Sequence, residues 1–211
     1  MALVKYNDRS LRNLTTAPAA VIGNNPGALV HIKTLTASSS ATLSFVDGTD
    51  SVVLDNTYPI YKFEFINIHP GTNGANFTFQ GNASGGSGYN ETMTTTSFRP
   101  YHEESGGSSS LGYKTDGDQG QGTAFQGLTF SLGTENDECA SGYLHIFNPS
   151  STTFVKHFIA QGTLNTASNE NENDFVAGYF NTTSAIDEIQ FKMSSGNIDA
   201  GQIKLYGIKD S

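Results

Sequence analysis

Strict alternation of apolar and polar residues toward the C-terminal end constrains this chain more than any other feature. Ile189, Phe191 and Met193 alternate with Gln190 and Lys192; Ser194-Ser195-Gly196-Asn197 interrupts; then Ile203 and Leu205 alternate with Gln202, Lys204 and Tyr206. A period of two puts the apolar set on one face of a pleated strand, whereas a helix would need a period of 3.6. Two such runs around a short Ser/Gly/Asn loop predict a closing β-hairpin that completes a sheet. Its residues are structural in kind, with nothing catalytic among them.

The same period recurs upstream. Tyr61, Phe63 and Phe65 share one face and Lys62 and Glu64 the other, so one face is core and one is wet. Beyond Phe65 the alternation weakens, because Ile66 and Ile68 take the opposite phase, and an end covered on both sides is expected there. His69-Pro70-Gly71 should then stop the ladder, since proline cannot donate to it. Tyr143 to Phe147 and Phe154 to Ile159 flank Asn148-Pro149-Ser150-Ser151, which predicts a second hairpin.

Strand candidates along the chain are Leu29–Thr36, Ala41–Val46, Ser51–Leu54, Ile60–Ile68, Asn76–Gln80, Thr92–Arg99, Leu111–Tyr113, Ala124–Leu132, Gly142–Phe147, Phe154–Gln161, Phe175–Phe180, Ile189–Met193 and Gln202–Ile208. No long window carries the helical period. The stretches Gly81 to Gly88, Gly106 to Gly112 and Asn165 to Asn173 are expected as polar surface loops. Short strands at regular spacing predict an all-β fold, an antiparallel β-sandwich or jelly roll over residues 28–211. Before it, residues 1–27 read as a short extended N-terminal arm and linker, with Pro18 and Pro26 stopping ladders and Gly23 and Gly27 favouring turns.

A length of 211 residues suits one large β domain, and 14 Phe with 9 Tyr supply its core without any Trp. Cys139 has no partner in the chain, so no disulfide framework is available. The opening residues lack a basic segment followed by an apolar one, and no apolar run approaches the roughly 20 residues of a membrane span. A soluble protein from a reducing compartment, without membrane insertion, is therefore expected. The five Asn-x-Ser/Thr sequons at Asn13, Asn76, Asn82, Asn90 and Asn181 then reflect an Asn/Thr-rich composition.

A net charge of −9 opposes phosphate backbones and argues against nucleic acid as a partner. The charge is uneven, however, because Lys5, Arg9 and Arg12 face only Asp8 in the first twelve residues. That is either a frayed terminus or an arm that docks on an acidic neighbouring subunit through charge-assisted hydrogen bonds.

Residue types for chemistry are present without the spacing that chemistry needs. His31, His69, His102, His145 and His157 form no short metal-ligand spacing with one another or with Cys139, so no metal is expected. Acidic clusters at Asp47 and Asp50, Glu103 and Glu104, Asp116 and Asp118, Glu135 with Asp137 and Glu138, and Glu170 with Glu172 and Asp174 read as solvated loops, since the twelve-residue calcium loop is missing. There is no Gly-x-Ser-x-Gly elbow and no phosphate loop, so neither catalytic residues nor a cofactor are expected. Tyr89, Phe98 and Tyr101 lie around Gly/Ser-rich loops. Such rings can stack on a sugar, pack beneath the loop or fill a subunit contact.

The phrases Tyr61-Lys62-Phe63-Glu64-Phe65-Ile66-Asn67-Ile68-His69-Pro70, Phe147 to Phe158, Ile189 to Ile198 and the opening Met1 to Asn7 resemble small virion structural proteins of tailed phages that infect aquatic bacteria. The resemblance spans most of the chain and brings no catalytic motif. It implies a non-enzymatic bacteriophage structural protein, made in the host cytoplasm and incorporated into the virion. Expected partners are other virion proteins, either the major capsid protein or tail proteins, and further copies of the chain in a homo-oligomer. Capsid decoration, with the arm as anchor, is the preferred expectation. A tail-fibre or knob protein that binds a host-surface glycan is the alternative.

Overall fold

The computed structural model describes residues 28–209, so Lys5, Arg9, Arg12 and the whole N-terminal arm lie outside the described residues. Twelve strands follow in order: β1 (Leu29–Thr36), β2 (Leu43–Val46), β3 (Ile60–Pro70), β4 (Ala75–Ala83), β5 (Met93–Glu103), β6 (Ser109–Tyr113), β7 (Gln126–Leu132), β8 (Ala140–Phe147), β9 (Lys156–Asn165), β10 (Glu170–Phe180), β11 (Ile186–Met193) and β12 (Ile198–Ile208). They form an eight-stranded sheet in the order β1-β12-β3-β8-β9-β10-β5-β6 and a four-stranded sheet in the order β2-β11-β4-β7. Every pairing is antiparallel. The two sheets pack face to face as a β-sandwich.

The expected closing hairpin is instead an arch between the sheets. β11 pairs with β2 and β4 in the small sheet, while β12 pairs with β1 and β3 in the large one. The connecting loop is fastened on both sides. Ser194 N–H donates to the Asn76 carbonyl of β4 at 2.8 Å, and Ile198 and Ser40 exchange two backbone hydrogen bonds of 2.8 Å. Ile189, Phe191 and Met193 therefore look across the core at Ile198, Ile203 and Leu205, all six buried. Period two fixes which face of a strand is apolar, but that face is equally apolar in a hairpin and in an arch.

Phe191 shows what the arch accomplishes. Its ring lies 6.2 Å from Phe45 of β2, 5.4 Å and 5.5 Å from Phe63 and Phe65 of β3, and 5.7 Å and 6.4 Å from Phe77 and Phe79 of β4. Most neighbouring pairs meet edge to face, the arrangement that aligns the positive ring edge with the negative face. A second small group, Phe79 with Phe158 of β9 and Phe180 of β10, extends the contact along the large sheet.

The weakened alternation after Phe65 has a local cause. Asn67 adopts a φ of 50° and is exposed, the register against β8 shifts between Phe65 and Ile68, and Ile68 returns to the core fully buried. This is a β-bulge, in which one extra residue restores the phase. It corrects the expectation of an end covered on both faces. Gly201 of β12 sits beside the bulge with a φ of 115°; a Cβ there would lie 2.6 Å from the Asn67 carbonyl oxygen.

The β8–β9 hairpin forms as expected, with Ile146 opposite Phe158 and Asn148 turning at a φ of 45°. Two local expectations are corrected. Ser51 to Leu54 is a loop, closed by Gly48 N–H to the Val52 carbonyl at 3.0 Å and Leu54 N–H to Asp47 Oδ1 at 2.8 Å, and its alternation reflects two side chains, Val52 and Leu54, reaching the core. Asn165 to Asn173 is no loop, because β9 runs to Asn165, β10 starts at Glu170, and Thr166 to Asn169 makes a tight turn.

Removing the Phe191 ring opens a cavity between the sheets. Phe191→Ala is expected to lower stability by about 3–5 kcal/mol, while Phe154→Ala, in an exposed turn, should change it by less than about 0.5 kcal/mol. Chemical denaturation of both variants checks the contrast.

Candidate functional site

Among the described residues nothing packs on the outer face of the eight-stranded sheet, and that face divides by chemistry. One row of directly opposed residues begins with Lys204 of β12, Glu64 of β3 and Tyr143 of β8. It continues through Gln161 of β9, Phe175 of β10, Phe98 of β5 and Tyr113 of β6. At ~4.8 Å between strands, eight strands span roughly 34 Å. The β12–β3 end of the row is charged, with Lys62 Nζ donating to Glu64 Oε1 at 2.7 Å. At the β10–β5–β6 end Phe175 and Phe98 stack in parallel, 4.7 Å between centroids, and Leu111 pairs with Pro100 beside Tyr113.

Four of the six exposed large apolar residues among the described ones fall on this side of the face: Phe98 at 45%, Leu111 at 70%, Tyr113 at 54% and Ile159 at 49% exposure. Scattered apolar residues on a surface need no explanation, but a contiguous patch across four strands marks a contact surface. Next to it lies a depression of about 410 Å³. Its floor is Ala177, small between Ile159 and Thr96, and Tyr179, His157 and Phe147 stand around it. Rings with hydroxyls from Thr94 and Thr96 give the depression an apolar surface with a few hydrogen-bonding groups.

The three aromatic residues singled out from the sequence do not converge. Phe98 lies on the outer face, but Tyr101 is an odd number of residues away and turns to the other face, where Arg99 sits 5.4 Å over its ring and its hydroxyl is 3.3 Å from the Ser108 hydroxyl. Tyr89 is half-buried against the small sheet near Ser44 and Glu188; burial pushes its phenol above the ordinary value, and the Glu188 carboxylate adds to that. Phe175, Tyr113 and Ile159 complete the patch around Phe98 instead. Register brings them there, and nothing in their sequence neighbourhoods marks them.

The interior opposite this region is polar, which the sequence reading missed. Glu172 and Asp174 are not in a solvated loop: both belong to β10, both are fully buried, and both share the inward phase with Val176. The Arg99 guanidinium donates to Glu172 Oε2. Asp174 Oδ2 accepts Phe130 N–H of β7 at 3.2 Å. Among the described residues Glu172 Oε1 and Asp174 Oδ1 have no hydrogen-bond partner. Burial, reinforced by the Glu172 charge, accordingly pushes the Asp174 carboxyl up to about 9. Glu138 is also buried, accepting Glu135 N–H at 2.7 Å within its own loop.

Lys156, fully buried, donates to the carbonyls of Phe154 and Thr182 at 3.2 Å and 3.0 Å, and burial lowers its ammonium below the usual lysine value. Among the described residues, no group of three or more His, Cys, Asp or Glu side chains is placed to hold a metal ion. No helix of the described chain is long and apolar enough to cross a membrane. Comparison with protein-family models, with curated proteins and with solved structures returned no match.

The sign of the pH effect follows from Asp174. Its folded pKa lies above the ordinary value near 4, so between that value and about 9 the folded chain binds more protons than the unfolded one. Its contribution to stability is complete at the acidic end of this window and is lost as pH rises toward about 9. Asp174→Asn, neutral and of the same shape, should flatten this part of the stability profile measured by denaturation at successive pH values. A profile as steep as that of the unaltered chain would mean that Asp174 is not the group responsible.

Proposed function

We propose that this chain is a non-enzymatic structural protein of a phage virion, a decoration protein that sits on the capsid surface among neighbouring subunits. The observation that carries the reading is the apolar half of the outer face, where Phe98, Leu111, Tyr113 and Ile159 are exposed together on an acidic protein. Such a surface is costly to leave in water and is covered when many copies pack on a particle. The resemblance of Tyr61–Pro70, Phe147–Phe158 and Ile189–Ile198 to small phage virion proteins supplies the setting. Lys5, Arg9 and Arg12 supply a basic arm for an acidic neighbour. Weak individual contacts suffice on a particle, because repetition multiplies them.

A second reading draws on the depression beside Ala177. A tail-fibre or knob protein could hold a host-surface glycan there, a sugar ring against Tyr179 or Phe147 and its hydroxyls toward Thr94, Thr96 and His157. Copy number separates the two placements. Quantitative mass spectrometry of purified virions should find on the order of hundreds of copies per particle for a capsid protein, as repetition requires; a few to a few dozen copies, with binding to host envelope glycans, would favour the tail. Deleting residues 1–27 should reduce occupancy if the arm is the anchor, and normal occupancy would remove the arm from the account.

A further inference from the structure

We infer that the edge of β6, unpaired among the described residues, is a self-association site, at which a second copy of this chain adds its own β6 antiparallel across a two-fold axis. Hydrogen-bond phase is the first ground. Glu103 N–H donates to the Ser108 carbonyl and Lys114 N–H to the Ser97 carbonyl, both at 2.9 Å. Tyr101 pairs with Ser110 and Arg99 with Gly112 in the same register. Hydrogen-bonded pairs alternate in an antiparallel ladder. Ser108, Ser110, Gly112 and Lys114 therefore turn their backbone groups to β5, and Ser109, Leu111 and Tyr113 turn theirs away from it. None of those outward groups has a hydrogen-bond partner among the described residues.

The second ground is what the edge lacks. β1, the opposite edge of the large sheet, is broken by a bulge between His31 and Lys33 and carries a lysine. β6 has neither device: Ser109-Ser110-Leu111-Gly112-Tyr113 is uncharged, contains no proline, keeps an unbroken register and is exposed at every residue. Native edges are normally blunted by charge, proline or a bulge, because an open ladder recruits another strand. An edge left open in this way has a partner.

The occupant is set by symmetry. With Leu111 at the centre of the five residues, a two-fold rotation brings Leu111 opposite its own copy and Ser109 opposite Tyr113 of the second chain. All three outward-facing residues of each strand then fall in hydrogen-bonded pairs. Two identical edges meet without like charges directly opposed, which would disfavour a charged strand facing itself. The side chains at the seam, Leu111 and Tyr113, lie on the same outer face as Phe98 and Phe175, so the apolar patches of the two copies join into one. The inference concerns self-association and does not depend on whether the chain sits on a capsid or a tail.

Analytical ultracentrifugation of the full chain over a concentration series, with the variants Leu111→Pro and Leu111→Lys, is the test. The unaltered chain should form a dimer as concentration rises toward roughly 100 µM, in the weak range expected for a short strand contact. Proline at 111 removes an outward N–H and leaves the β5 ladder intact, and lysine places two like charges on the axis. Each variant should remain monomeric with the circular dichroism and thermal midpoint of the unaltered chain. Backbone amide exchange at Ser109, Leu111 and Tyr113 should slow on dimerisation. A chain that stays monomeric throughout overturns the inference. So does dimerisation of both variants at the original strength, which would assign the contact to another surface, such as a neighbouring copy's arm.

Discussion

Phe191 and the rings around it are the contact on which the rest of the structure depends. Phe45, Phe77, Phe79 and Phe191 project from the four-stranded sheet and Phe63, Phe65, Phe158 and Phe180 from the eight-stranded one, so the two sheets share a single aromatic layer. Four strands do not cover eight, and the remaining inner surface is closed by loops. Tyr58 packs edge-on against Tyr61 at 5.6 Å near one end, and Gly117 lies against Phe130 near the other, where Gln126 Nε2 donates to its carbonyl at 2.7 Å. Because these interactions consume the inward face of the large sheet, no other described element packs on its outward face.

The closure by loops also explains the polar interior beneath β5 and β10. Here the small sheet approaches closely, and a Cβ on Gly162 of β9 would lie 2.5 Å from Thr129 Cγ2 of β7. Too little room remains for another row of large rings. Arg99, Glu172 and Asp174 fill the space with one guanidinium and two carboxyls, and burial with the Glu172 charge holds Asp174 toward its neutral form. A buried pair of this kind is a weak source of net stability, since desolvation offsets much of the attraction. Its effect is to tie the folded state to the protonation of Asp174. Arg99 and Asp174 sit directly beneath the strands that carry Phe98 and Phe175, so the charged interior and the apolar exterior occupy opposite faces of the same strands.

Much of the fold was legible because period two is insensitive to context. Tyr61, Phe63 and Phe65 had one reading whichever strand lay beside them, and the Asn148-Pro149 turn located a hairpin that forms. Partner choice was not legible. β11 and β12 follow each other through four residues, yet what separates them into different sheets is the anchoring of Ser194 to Asn76 and of Ile198 to Ser40, contacts far apart in sequence. The acids of β10 were hidden for another reason: Phe175, Ala177 and Tyr179 are apolar in one phase and Val176 and Phe180 in the other, so alternation could not say which phase looked inward. Of the apolar patch on the outer face, Phe98 was visible as an exposed aromatic residue, but its grouping with Tyr89 and Tyr101 followed sequence proximity. The odd spacing between residues 98 and 101 already implied opposite faces. Phe175, Tyr113 and Ile159 enter only through register.

Under the proposed function the sandwich supports a contact surface on the outside of its larger sheet, which packs against neighbours. The most direct measurement is hydroxyl-radical footprinting of the chain free in solution and within purified virions. The account predicts that Phe98, Leu111, Tyr113 and Ile159 are oxidised readily in the free chain and are shielded in the particle, while Phe154, exposed in the β8–β9 turn, changes little. Equal reactivity of the four residues in both states, in particles that contain the chain, would contradict it.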